Sequence, residues 1–243
     1  MHMRIDHSPD GSVATCEQGA GPVVKHVIVQ SSASSAPLLF VTGAGRSGTT
    51  MLARMLGSHS AIMAFNEMNY FGAAWDPYDN HCAISARQLT DLAATLLARQ
   101  THELWGGSPG DVERAWARRL VHALPEQERT PAGLFAAVLR RQADDAGKSI
   151  ACEQTPKNIF YAEKLLDLYP NARIIHIVRD PRAVLASQKC RWQLRRLGAH
   201  HLPLSKMIRN RIHYHPYTTG RLWAKATDKA LGDFRGNLYH CMR

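Results

Sequence analysis

Gly43, Gly48, Thr49 and Thr50 stand at the spacing of a phosphate-binding loop in GAGRSGTTMLARML, residues 43–56, with Arg46 and Ser47 between the glycines. Backbone N–H groups of such a loop, and the N-terminus of the helix that follows, converge on an oxyanion. The skeleton is G-x-x-x-x-G, but Thr49 occupies the place of the usual lysine. Lysine and a magnesium-binding hydroxyl are required where a highly charged γ-phosphoryl moves. A sulfuryl group carries less charge, so Arg46 with two hydroxyls could suffice without metal.

A second group lies in IVRDPRAVLAS, residues 177–187. Arg179 follows a β-branched run and offers a bidentate fork to a dianionic phosphate. Ser187, eight residues on, falls about two turns into the next helix and adds one donor. Taken alone, Arg179 reads equally well as the partner of Asp180 in a surface ion pair. Glu67, in AIMAFNEMNYFG, sits among apolar and aromatic residues, where desolvation would raise a carboxyl pKa towards the range of a general base.

Together these stretches resemble the PAPS-dependent sulfotransferases, whose donor is 3′-phosphoadenosine 5′-phosphosulfate. Their 5′-phosphosulfate loop commonly reads R-S-G-T-T before an apolar helix, as Arg46-Ser47-Gly48-Thr49-Thr50 does here. Their 3′-phosphate is held by an arginine after a strand and a serine eight residues on, which implies that role for Arg179 and Ser187. In several branches a catalytic glutamate lies about twenty residues beyond the loop arginine, and Glu67 is twenty-one residues after Arg46. The resemblance implies sulfuryl transfer to an acceptor hydroxyl or amine, with 3′,5′-ADP released. In it, Arg46, Ser47, Gly48, Thr49 and Thr50 bind the 5′ end, Arg46 also offsets developing charge, and Glu67 takes the acceptor proton. No metal is expected. CEQTPKN, residues 152–158, resembles a segment that often reads E-K-T-P, but Gln154 replaces its lysine, and the role of residues 153–157 stays open.

The elements that must carry these groups are legible in the pattern. Pro37 to Thr42 is a short apolar run bounded by glycine, as in a strand buried on both faces. Met51, Leu52, Met55 and Leu56 are expected to form the helical face that packs back on it. Residues 86–147 read as helices with stripes at Leu89, Leu92, Ala93, Leu96 and Leu97, at Trp116, Leu120 and Val121, and at Leu134, Phe135, Val138 and Leu139. Breaks are expected around 106–110 and 125–131. Ile174 to Val178 is a second strand, and Pro181 opens a helix. The fold class is therefore α/β: a doubly wound, mainly parallel, P-loop-like sheet flanked by helices, with a helical mid-chain segment. Residues 1–36 are expected to be a flexible arm; because the resembled family continues past a further strand and the closing GNLYHCMR looks like the opening of that strand, 37–243 is expected to be an α/β domain truncated at its C-terminus.

Composition bounds the partners. Thirty Lys and Arg against twenty Asp and Glu give a net charge of +10, which favours anionic ligands. Five scattered cysteines without a C-x-x-C pair argue against a disulfide framework or zinc knuckle. The sequence lacks the apolar window of about eighteen residues that a membrane span needs, and a cytoplasmic enzyme is the expectation. The basic stretch 188–198 reads as a positive rim guiding an anionic donor, so no nucleic acid is expected as partner. The His200-His201 and His213-x-His215 pairs read as solvated loops. The acceptor, whether a small molecule, glycan, lipid or peptide, carries no recognisable code, and the oligomeric state is not encoded either. The rival readings are a P-loop kinase or NTPase, a basic nucleic-acid-binding protein, and an inactive nucleotide-binding remnant.

Overall fold

The computed structural model describes residues 37–76, 84–101, 108–190, 204–205, 208, 211, 214–232 and 239–242. The expected arm at 1–36, the rim beyond residue 190 and the histidines 200, 201 and 213 lie outside these residues. Among the described residues the strands are β1 (Leu38–Gly43), β2 (Ile62–Ala64), β3 (Ile150–Glu153), β4 (Arg173–Ile177) and β5 (Tyr239–Met242). The helices are α1 (Thr49–Gly57), α2 (Ala86–Thr101), α3 (Asp111–Ala123), α4 (Pro131–Asp145), α5 (Ala162–Leu168), α6 (Pro181–Lys189) and α7 (Pro216–Gly232).

All four ladders are parallel and run in the order β2-β3-β1-β4-β5. β1 is central and registers Phe40 with Glu153 on one side and Gly43 with Ile177 on the other. Its burial on both faces agrees with the unbroken apolar run LLFV. The closing segment 239–242 pairs with β4, as its resemblance to a strand implied.

α2, α3 and α4 occupy the stretch between β2 and β3; residues 108–110 lead into α3, and Pro125 with a short turn at Glu126–Glu128 separates α3 from α4. α4 shows why it starts where it does. Thr130 Oγ1 accepts the Gly133 N–H at 3.1 Å, and Pro131 takes the first helical position, where its missing N–H costs nothing. Its face of Leu134, Phe135, Val138 and Leu139 is wholly buried, as the periodicity implied. Phe135 stacks on Tyr70 at 4.5 Å between ring centroids, and the Tyr70 hydroxyl donates to the Pro131 carbonyl at 2.8 Å. α4 is thereby tied to the chain that follows β2.

One helical face departs from expectation. Met51 and Met55 are 66% and 63% exposed, whereas Thr49 and Ala53 are buried and Leu52 and Leu56 are half-buried. The inward face of α1 is 49, 52, 53 and 56, a stripe of i, i+3, i+4 and i+7. Hydrophobicity alone favoured the methionines. Close approach decided otherwise, since a side chain on Gly57 would lie 2.7 Å from the Ala64 Cβ.

Candidate functional site

In a parallel sheet, every strand delivers its following loop to the same edge. From β1 the chain moves to the β2 side, whereas from β3 and from β4 it moves the opposite way. Crevices therefore open on both sides of β1 at the carboxyl edge, where doubly wound sheets bind ligands. The loop 43–48 leaves from the centre of that edge. Residues 65–69 and 153–158 border it on one side, and residues 178–180 on the other.

The loop is built for close approach. A Cβ on Gly43 would lie 2.9 Å from the Ile177 carbonyl, so only glycine lets β1 and β4 end side by side. Gly48 caps α1 at φ +106°, and Arg46 also adopts a positive φ of 75°, a costly conformation for a side-chain-bearing residue. The Ser47 N–H donates to the Ala44 carbonyl at 3.0 Å and closes the turn. Ser47 and Thr49 are buried, while Arg46 and Thr50 are exposed. The Ser47 hydroxyl is buried with no hydrogen-bond partner. Leaving it so costs about 1–3 kcal/mol, and an oxyanion seated on the loop would satisfy it.

The second motif folds onto this loop. Arg46 Nε donates to Ser187 Oγ at 3.0 Å, and Arg179 Nη1 donates to the Arg46 carbonyl at 3.2 Å. Residues separated by more than 130 positions in sequence thus form one cationic corner between β1 and β4. The alternative of an Arg179–Asp180 ion pair is not what forms. Asp180 caps α6 by accepting the Arg182 N–H at 2.8 Å, and its carboxylate binds the Arg182 side chain at 2.6 Å, which holds it at a pKa of about 2. Trp223 Nε1, from α7, donates to the Arg179 carbonyl at 2.9 Å.

Glu67 enters from the other side, at the end of β2, with β3 between it and β1. It is half-buried. The chain around it is held by side chains from two elements. From α2, Gln100 Oε1 accepts the Asn66 N–H at 3.0 Å, and Arg99 Nη1 donates to the Met68 carbonyl. From the end of β3, Glu153 Oε1 accepts the Met68 N–H at 3.1 Å, and Thr155 Oγ1 accepts the Asn69 N–H, also at 3.1 Å. Glu153 is 1% exposed. Burial pushes its carboxyl up to about 7, the Glu67 charge acts in the same direction, and hydrogen bonds from Thr155 and Met68 act against both. Gln154 is buried and Lys157 exposed, so the lysine does not follow Gln154 into the interior.

Two further groups support the edge. Thr42 Oγ1 lies 3.0 Å from His176 Nδ1 in a buried contact between β1 and β4. Burial lowers the His176 pKa to about 4, so the ring is neutral under ordinary conditions. Sequence reasoning did not single out Glu153, Trp223, Arg99 or Thr42. The E-Q-T-P segment was the available signal for Glu153; the others carried none. Among the described residues no group of three or more His, Cys, Asp or Glu could hold a metal ion, and no helix is long and apolar enough to cross a membrane.

Comparison with known proteins adds an independent line. The profile of the Sulfotransferase family matches residues 37–231. Among solved structures, the chain is similar to a sulfotransferase domain from the curacin biosynthetic pathway, at 18% identity and a TM-score of 0.47 over 85% of this chain. It is also similar to the sulfotransferase STF9 from Mycobacterium avium, at 16% identity and a TM-score of 0.38 over 86% of this chain. It spans 66% and 59% of the lengths of those two chains. No curated protein sequence matches it.

Proposed function

Because the chain belongs to the sulfotransferase family over residues 37–231, we propose that it transfers a sulfuryl group from 3′-phosphoadenosine 5′-phosphosulfate to an acceptor hydroxyl or amine. The observation that carries this reading is the corner formed by Arg46, Arg179 and Ser187 beside a loop whose buried Ser47 hydroxyl has no partner. These residues fit a ligand with anionic groups at both ends. The loop N–H groups with Ser47, Thr49 and Thr50 hold the 5′ end, and Arg179 and Ser187 hold the 3′-phosphate. When bound, the donor supplies an activated sulfuryl group for in-line displacement.

The chain's own residues then have defined work. Arg46 offsets charge growing on the oxygen that leaves with the nucleotide. Its Nε–H now engages Ser187, so the guanidinium is held at the corner before any ligand arrives. Glu67 takes the proton from the acceptor, and the Arg99, Gln100 and Glu153 bonds to its neighbours limit how far its backbone can move. Thr49 in place of lysine fits a transferred group of lower charge than a γ-phosphoryl. The acceptor is a small molecule, glycan or lipid admitted on the β2–β3 side of the edge.

Calorimetric titration tests the reading. We expect metal-independent binding of 3′,5′-ADP, tighter than that of ATP with magnesium. Magnesium-dependent ATP turnover, with no preference for the 3′-phosphate, would overturn it.

A further inference from the structure

At the end of β2 the parallel ladder hands over from backbone to side chains. The Phe65 N–H still donates to the Cys152 carbonyl at 2.8 Å. Beyond it the chain after β3 turns away, and the Met68 N–H is met at 3.1 Å by the Glu153 carboxyl instead of a peptide carbonyl. Both carboxyl oxygens are engaged. Oε1 accepts from Met68 and the Thr155 hydroxyl, and Oε2 accepts from Asn158 Nδ2 at 2.8 Å. A buried polar group with this many donors holds its neighbours in one arrangement, because releasing any of them leaves a desolvated N–H or O–H without a partner.

We infer that Glu153 is a positioning residue: its buried carboxyl continues the sheet's hydrogen bonding past the end of β2 and so fixes the placement of Glu67, one residue before the amide it grips. The inference rests on the reading of Glu67 as the acceptor's base. Glu153 itself is too enclosed to touch an acceptor, at 1% exposure, and acts only through the backbone at Met68. The groups facing it are Glu67 from the chain after β2, the Cys152 thiol on its own strand, and Thr155 and Asn158 from the turn after β3.

The geometry also supplies a conservative variant. Asn158 Oδ1 is buried without a hydrogen-bond partner. In Glu153→Gln the new amide could therefore be met by Asn158 turning its own amide over, while the remaining oxygen still accepts from Met68. Glu153→Ala offers no such replacement. Amide hydrogen exchange, turnover and 3′,5′-ADP affinity should be measured on both variants in the full chain.

In Glu153→Ala we expect the Met68 amide to exchange about tenfold faster or more while α4 amides such as Val138 keep their protection, because the opening is local. We expect kcat to fall by about tenfold or more with nucleotide affinity unchanged, and Glu153→Gln to restore most of both readouts. Unchanged Met68 exchange in Glu153→Ala would overturn the inference. So would a loss of protection spread evenly through α4, which would make Glu153 a residue of general stability. If Met68 responds as expected while Glu67→Gln turns over like the native chain, the placement of this segment by Glu153 stands and the base assignment falls.

Discussion

At the scale of single residues, the corner between β1 and β4 separates two jobs that arginine can do. Arg179 reaches the Arg46 carbonyl with one guanidinium nitrogen, and Asp180 does not compete for it because Arg182 and the first turn of α6 hold that carboxylate. On our reading the remaining Arg179 donors serve the 3′-phosphate. Arg179→Ala should therefore weaken 3′,5′-ADP binding by about ten- to a hundredfold and 5′-AMP binding far less, measured calorimetrically. Equal losses would remove the anchoring role. Glu67→Gln keeps the shape of the side chain but cannot take a proton; turnover should fall by about two orders of magnitude or more with 3′,5′-ADP affinity intact. The loop and the 179–187 pair were legible in the sequence because each is a short run whose spacing is itself the signal. Glu153 was not, since its function depends on an amide 85 positions away and on complete burial, neither of which has a local pattern.

At the scale of elements, β1, β4 and most helical stripes followed from apolar runs and prolines, whereas β2 and β3, of three and four residues, are too short to carry a pattern and were not read from the sequence. The inward face of α1 did not, because it is set by the close approach of Gly57, at the C-terminal end of the helix, to Ala64 of β2. α7 is the less obvious contributor. It packs near the turn after β3, pairs Lys229 with Glu163 of α5 at 3.4 Å, and places Trp223 against the Arg179 carbonyl. Nothing in the sequence near Trp223 marks it for this contact. Trp223→Phe would keep the ring and remove the donor. It should lower 3′,5′-ADP affinity about threefold while shifting unfolding free energy by about 1 kcal/mol or less, read by calorimetry and denaturant melts. A large stability loss with native affinity would instead make Trp223 a packing residue alone.

At the scale of the whole molecule, two buried titratable groups on opposite sides of β1 oppose one another. The His176 pKa falls from 6.5 to about 4, so between those values the unfolded chain binds a proton the folded chain refuses, and stability drops as pH falls through that window. Glu153 is raised from 4.5 to about 7, so the folded chain holds a proton the unfolded chain lacks, and this contribution is lost as pH rises from 4.5 through 7. The two slopes cancel over most of the shared range. Native stability should be nearly flat from pH 5 to 6.5, whereas Glu153→Gln should gain about 2 kcal/mol across it, seen as a rising urea midpoint. A parallel profile for the two proteins would show that Glu153 titrates as it does in water.

The central position of β1 has a consequence for how the molecule is made. Everything on its β2–β3 flank is encoded by residue 158, whereas Arg179, Ser187 and Trp223 are synthesised afterwards. A nascent chain can therefore assemble that flank first while it still lacks the residues we assign to the 3′-phosphate. On our reading, protection by bound nucleotide therefore requires that Arg179 and Ser187 have already been synthesised, and chains that stop short of them gain none.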